Sequence, residues 1–448
     1  MPLSSVSPSF VSAPADRNPT FLQRHLTKIT IAVVAVLWGQ LAIGLVRGHG
    51  RINVFTNTPM AEDLLSLHAA GTIMRTAPDR LYDEPFAAPI QAATLGPVGR
   101  EVYNRYMSPP HTALIFAPLS LLPFPLVVWL WSLLSLVGLL AVPRLLGAAR
   151  PLRCAGTMLA FVPVLDGFAA GQNALFTLFL FALSFWCWRR GRGLLAGLAL
   201  GAVAIYKPHM IVGPAVLYLL EARRDVRPLL GLGLVVIGLL ALDLGLFPAQ
   251  TRAFLSWGSN VVVGREPLWA RLRPGGEFTA TAFFALSLPW APLAARLLAT
   301  LTGLGAVITF GMVHRRLRLR TVRSPVRIDR GLFACATLLT LWLAPHAHLY
   351  EWTLLLLPAI LFWKDRGDAD ESLRRTFALT ALLAPLCVRL ARAQLGWLGV
   401  AIHPAVPILL LGSVVVVRLA WRAKDRVPIA LGVARWRRAA RWVRASAG

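Results

Sequence analysis

The chain has 448 residues, of which 56% are hydrophobic and only 15% charged, with a mean hydropathy of +0.63. Soluble domains carry about 25% charged residues, so this composition excludes an ordinary soluble enzyme and points to a membrane protein. The net charge of +26 does not imply nucleic-acid binding. Its arginines fall in short clusters between apolar runs, such as "RRGR" from Arg189 and "RRLRLRTVRSPVR" from Arg315, which is the pattern of cytoplasmic loops.

Residues 1–28 are polar and Ser/Pro-rich, a composition that predicts a disordered N-terminal tail on the cytoplasmic side. The apolar run that follows has no small-residue cleavage pattern behind it, and reads as a retained anchor. Runs long or apolar enough to enter a bilayer are expected at 29–46, 125–143, 154–167, 173–188, 193–206, 210–220, 228–247, 291–313, 331–344, 351–363, 376–395 and 403–420. A full helical span needs roughly 20 apolar residues, so the shorter runs read as paired, incomplete helices. No alternating period of a membrane barrel is present. The predicted fold is therefore all-α, a polytopic bundle of about 12 transmembrane helices over residues 29–420. A basic cytoplasmic tail follows at 421–448.

With both termini inside, the inner segments hold 32 Lys and Arg residues and the outer loops 11, an asymmetry that orients the bundle. Two large outer loops result, 47–110 and about 248–290. The first holds five of the chain's 20 acidic residues between Ala61 and Glu84: Glu62, Asp63, Asp79, Asp83 and Glu84. Between the first of these loops and the second span, "PPHTALIFAPLSLLP" from Pro109 is too short between its prolines to cross, and is expected to lie in the outer interface or dip into it.

Polar side chains mark three further outer turns. They are Asp166, Gln172 and Asn173 in "LDGFAAGQN", Lys207 and His209 in "YKPHM", and His346, His348, Tyr350 and Glu351 in "APHAHLYEW". Ionisable groups at membrane depth are costly and commonly functional. Each also has a plain structural reading. Asp63 suits a helix cap, Lys207 a snorkelling cation, Gln172 and Asn173 an interhelical bridge, and the histidines an interfacial hydrogen bond. Cys154, Cys187, Cys335 and Cys387 lie in or beside apolar runs without metal-ligand spacing, and read as buried thiols.

Four stretches in order carry a family resemblance: "DLLSLHAAGTIMRTAPDRLYD", "SPPHTALIFAPLSLLPFPLVVWLW", "GQNALFTLFLFALSFWCWRRGRGLLAGLALGAVAIYKPHMIVGPAVLYLLEARR" and "APHAHLYEWTLLLLPAIL". Together they run from residue 63 to about 360, and their order and spacing resemble glycosyltransferase family 87, the polyprenyl-phosphate-mannose-dependent α-mannosyltransferases of the GT-C superfamily. The resemblance implies a GT-C-like transmembrane domain in the plasma (inner) membrane, with its active site on the periplasmic or extracellular face. It implies an inverting transfer of mannose or another hexose from a polyprenyl-phosphate-linked donor to a lipid-linked or cell-envelope glycan. Asp63 matches the position of the family's general base; glutamate at 62 would point elsewhere on a helix, and "LYDE" from Leu81 reads as loop structure. Lys207, His346, His348, Gln172, Asn173, Tyr350 and Glu351 are the implied donor and substrate contacts. The histidine pair of some members is displaced here by Tyr350 and Glu351, and "GGEFTATAFF" from Gly275 replaces a common Asn-Gln-Ser-like element. No cofactor is implied, and a lone aspartate without a DxD-type pair calls for no metal ion. Two other classes fit the composition, a twelve-span secondary transporter and a ligase or flippase for lipid-linked glycans. Neither a half-to-half repeat for the first nor a use for Asp63 in the second is visible.

Overall fold

A computed structural model describes residues 21–53, 58–96, 103–148, 150–263, 278–288, 290–319, 325–363 and 405–422. Of the expected tails at 1–28 and 421–448, residues 21–28 and 421–422 are helical, and the rest lie outside the described residues, as do the tip of the second large loop and the expected span at 376–395. Helix dominates. α1 (Phe21–Arg47) is followed by a two-residue antiparallel ladder, Ile52–Asn53 with Thr58–Pro59. The first large loop then folds into α2 (Glu62–Thr76), α3 (Glu84–Leu95) and α4 (Pro110–Leu119).

The bundle proper comprises α5 (Phe124–Leu145), α6 (Pro151–Leu159), α7 (Val162–Ala169), α8 (Ala174–Arg189), α9 (Gly193–Ala204), α10 (Val212–Glu221), α11 (Arg227–Leu246) and α12 (Pro248–Val263). It continues with α13 (Ala280–Ser287), α14 (Pro292–Leu319), α15 (Pro325–Leu343), α16 (Leu356–Trp363) and α17 (Ala405–Arg422). Many of these helices open on proline, as at Pro110, Pro151, Pro228 and Pro292. The first turn has no use for that residue's missing N–H, so proline starts a helix without loss.

Among the described residues, α5, α11 and α14 are each long and apolar enough to cross a bilayer, and α6 with α7, bent by 71°, make a fourth if taken as one broken span. Shorter apolar helices include α8, α9 and residues 349–361. The number of complete spans visible is thus smaller than the number of apolar runs, because proline, glycine and polar turns break several runs into half-length pieces. The outward faces of the long helices are apolar: on α11, Leu234 is 64% and Ile237 68% exposed. Exposed apolar area on that scale is what a lipid-facing surface requires.

Helices α9 and α11 approach closely because glycines face each other's backbone. A Cβ on Gly197 would fall 2.0 Å from the Pro228 carbonyl oxygen, and one on Gly231 would fall 2.2 Å from that of Leu194. Small residues of this kind let helices associate where no hydrophobic driving force separates protein from lipid. Two apolar cores result. The larger fills the bundle around Phe181, Phe185, Tyr218, Phe333 and Trp352. The smaller lies under the first loop around Leu64, Leu65, Ile73, Phe116 and Val127, so this segment is a packed subdomain and not a loose connector.

The bundle has two chemically different ends. Along α8 and α9 the chain passes from the Gln172 turn to the Arg189–Arg192 turn and back to Lys207. The arginine-rich end is tied by a buried ion cluster. There Glu221 accepts from His314 Nε2 at 2.5 Å and Arg318 Nε at 2.7 Å, and Arg318 also donates to Asp329 at 2.9 Å. The four expected polar turns lie together at the opposite end.

Candidate active site

Asp63 is the second residue of α2, and the way that helix begins decides where its side chain goes. The α2 N-terminus meets the C-terminus of α7 head-on. The Ala61 N–H donates to the Ala169 carbonyl at 2.9 Å and the Asp63 N–H to that of Ala170 at 3.1 Å. Free amide donors at one helix end thereby satisfy free carbonyls at another. Two backbones can pass this close because Gly171, at φ +64°, carries no side chain; a Cβ there would fall 2.4 Å from the Ala61 Cβ. Ala61 itself is held at φ 54°, a left-handed conformation that costs an alanine about 1–2 kcal/mol. No side chain caps α2, so the capping reading of Asp63 does not describe this fold.

The Asp63 carboxylate reaches sideways instead. Its Oδ1 accepts from Asn104 Nδ2 at 2.7 Å, and its Oδ2 accepts from Gln172 Nε2. Asn104 is in turn held by Gln91, which is 1% exposed: Gln91 Nε2 donates to the Asn104 carbonyl at 2.7 Å, and the Asn104 N–H donates to Gln91 Oε1 at 2.9 Å. Neither residue stands out in the sequence. Both lie in the first loop, and only the folding of α3 back beside α2 brings them to the carboxylate.

From Asp63 the network continues through one amide. Gln172 Nε2 also donates to the Tyr350 hydroxyl at 2.9 Å, while Gln172 Oε1 accepts from Lys207 Nζ at 2.8 Å. Lys207 forms an ion pair with Glu351, whose side chain is 3% exposed, and its ammonium lies 5.1 Å above the Tyr350 ring. Glu351 Oε2 accepts from the His348 N–H at 2.8 Å. The His348 ring packs 4.6 Å from that of His346 and 5.1 Å from that of Tyr350. Asp63 and Lys207 thus sit at opposite ends of the Gln172 side chain, at most about 8 Å apart by ordinary hydrogen-bond lengths.

Six of the eight predicted side chains therefore meet in a continuous set: Asp63, Gln172, Lys207, Tyr350, Glu351 and His348, the last by its backbone and ring. His346 adjoins the set through His348. Asn173 is next to it in the chain and buried, with its Oδ1 lacking a hydrogen-bond partner among the described residues. Two other acids of the first loop do other work. Asp83 caps α3 at the Phe86 N–H and pairs with Arg80, whose guanidinium holds that carboxyl below the usual carboxylate range. Asp79 accepts from Gln250 Nε2 at 3.1 Å. The Glu62 carbonyl accepts from Asn104 Nδ2 at 3.2 Å.

The arrangement joins a carboxylate, held by two amide donors, to a cation with hydrogen-bonding capacity to spare. Lysine has three N–H donors, and two are committed to Gln172 and Glu351. Glu351 already matches the Lys207 charge, so an anion bound here shares the ammonium with that carboxylate. No three His, Cys, Asp or Glu side chains converge as a metal site among the described residues.

Residues 106–328 match the family model for glycosyltransferase family 87. The match contains Gln172, Asn173 and Lys207; Asp63, Asn104 and the His346–Glu351 turn lie outside it. No curated protein and no solved structure matches the chain.

Proposed function

The chain belongs to glycosyltransferase family 87, and from that premise we propose that this glycosyltransferase works with Asp63 as its general base on a sugar carried by a polyprenyl phosphate. The observation that carries the reading is the joining of Asp63 and Lys207 through one glutamine amide. A displacement at an anomeric carbon needs a proton acceptor on the attacking side and charge stabilisation on the leaving side. Asp63 and Lys207, on the two atoms of the Gln172 amide, offer both.

In this reaction an acceptor hydroxyl attacks the anomeric carbon, and its proton passes to the Asp63 carboxylate. The bond from that carbon to the phosphate oxygen breaks on the opposite face, so configuration inverts. The lipid phosphate departs with the electron pair. Positioned base catalysis contributes roughly 10²–10⁴-fold. Lys207 stabilises the departing phosphate as a compact cation, a role lysine fills elsewhere for phosphates. The Tyr350 hydroxyl, the His346 and His348 rings and the orphaned Asn173 Oδ1 supply hydrogen-bonding groups for sugar hydroxyls. A buried acceptor without a partner costs about 1–3 kcal/mol, and a ligand hydroxyl would relieve that cost.

The long apolar helices support a membrane location for this chemistry. In this reading the arginine-rich end faces the cytoplasm, as the positive-inside rule favours, and the site works at the outer face of the plasma membrane on a lipid-linked or cell-envelope glycan. The test is incubation of the purified protein with polyprenyl-phosphate-mannose and candidate lipid acceptors, with products read by mass spectrometry. Transfer with inverted configuration supports the reading. Equilibration of the intact donor across vesicles, with no new glycosidic bond, would replace it by a flippase or transporter.

A further inference from the structure

We infer that His111 and Asp243 form a positioning pair that holds the Asp63-bearing and the Lys207-bearing parts of the site in register; the inference rests on the catalytic reading of those two residues. His111 is the second residue of α4, and Asp243 lies one turn from the end of α11. Both side chains are buried, at 6% and 5% exposure. The His111 backbone N–H donates to Asp243 Oδ1 at 2.9 Å, and its Nδ1 lies 2.7 Å from Asp243 Oδ2. On the other side of the ring, Nε2 lies 2.8 Å from the Ile205 carbonyl, which also accepts from the Thr112 hydroxyl. Because the Ile205 carbonyl can only accept, the ring must be protonated at Nε2. Its Nδ1 faces the Asp243 carboxylate, so the ring is held between two acceptors.

The placement of this pair matters more than its strength. Ile205 caps α9 and lies two residues before Lys207. On the other side, α4 is locked against α2, the helix that carries Asp63: a Cβ on Gly71 would fall 2.4 Å from the Phe116 carbonyl oxygen. The entry to α4 is fixed as well, since the Tyr106 hydroxyl donates to the Pro109 carbonyl at 2.6 Å and the Tyr82 hydroxyl to that of Ser108 at 2.8 Å. Burial raises both phenols far above their ordinary value, so they remain donors. A continuous path thus runs from Asp63 along α2, across its contact with α4 to His111, and through the His111 ring to Ile205 and Lys207. Burying a charged pair is a poor way to gain stability, because desolvation offsets most of the attraction. Two directional acceptors on one ring do fix a geometry, which apolar packing of the same volume would leave softer.

The test uses the full-length protein in nanodiscs and two independent readouts. The first needs no substrate. Hydrogen–deuterium exchange should show residues 203–211 and 108–113 losing protection in Asp243→Asn, with α8 unchanged; unchanged protection in both segments would overturn the inference. The second is kinetic. Asp243→Asn should lower kcat/KM for the lipid donor about 10-fold or more, the scale on which small misplacements act. In a Lys207→Met background the same substitution should add less than about 3-fold, since its route to the donor is gone. Equal losses in both backgrounds would mean a merely structural pair, and the inference would fall. Should Asp243→Asn fold poorly, His111→Gln takes its place, because a glutamine amide can still donate to the Ile205 carbonyl. If the wild type transfers sugar to no acceptor, the catalytic reading fails while the exchange experiment still decides the pair.

Discussion

Replacing Asp63 with asparagine tests the base role, and the structure shows what else that change disturbs. The native carboxylate offers two acceptor oxygens, one to Asn104 Nδ2 at 2.7 Å and one to Gln172 Nε2. An asparagine side chain has a single oxygen, so its own NH₂ must face one of those two donors. A donor set against a donor leaves a buried group unsatisfied and costs about 1–3 kcal/mol. The kinetic loss is separate: without a proton acceptor the rate should fall roughly 10²–10⁴-fold, or about 2.7–5.5 kcal/mol in barrier height. The double variant Asp63→Asn, Asn104→Asp separates the two effects. Its aspartate accepts from the new asparagine NH₂, and the asparagine oxygen turns to Gln172, so both hydrogen bonds return. Only the 3.2 Å contact of position 104 with the Glu62 carbonyl is lost. Thermal melting of the detergent-solubilised protein should therefore drop in the single variant and recover most of the way in the double. Initial rates at saturating lipid donor should be abolished in the single variant. If Asp63→Asn turned over within tenfold of the wild type, the general-base assignment would be wrong.

Lys207→Met should raise the donor KM strongly, with Lys207→Arg restoring part of the affinity. It should also destabilise the protein by about 3–5 kcal/mol, because it strands the buried Glu351 carboxylate; adding Glu351→Gln should recover the stability but not the donor affinity, which separates anion binding from charge balance. Gly171→Ala should lower both melting temperature and activity, since its Cβ would strike Ala61 at the α2–α7 junction and push Asp63 away from Gln172; normal activity there would show that the junction tolerates displacement. For orientation, Asp79→Cys and Arg192→Cys, each in a background lacking the native thiols, should behave oppositely toward an impermeant reagent on intact cells. Position 79 should be labelled at once and position 192 only after lysis, and the reverse would invert the topology.

Much of the architecture is legible in the linear chain because its cause is local. Apolar runs, proline starts and arginine clusters act within a few residues of themselves, so the positions of α5, α8, α9, α11 and α14 follow from composition along the chain. The same holds for Gln172, Lys207, Tyr350 and Glu351, each a polar group out of place at the end of an apolar run, while Asp63 is marked by the acidic cluster of the first loop and by the family resemblance. What those groups do to one another is not local. Gln172 lies 109 residues from Asp63 and 178 from Tyr350, and no pattern in the chain states that its one amide joins both to Lys207. The tertiary structure alone supplies Asn104 and Gln91 as supports for Asp63, because polar residues in a loop look alike until a fold selects their partners. It alone pairs His111 with Asp243, 132 residues apart, where the chain shows only a histidine beside prolines and an acid inside a hydrophobic run. It also decides that Glu351 neutralises Lys207, which the sequence presents as a free cation. Local sequence determines which segments leave water and which side chains resist doing so; only packing decides how the resisting groups satisfy each other, because that depends on which helix ends the bundle brings together.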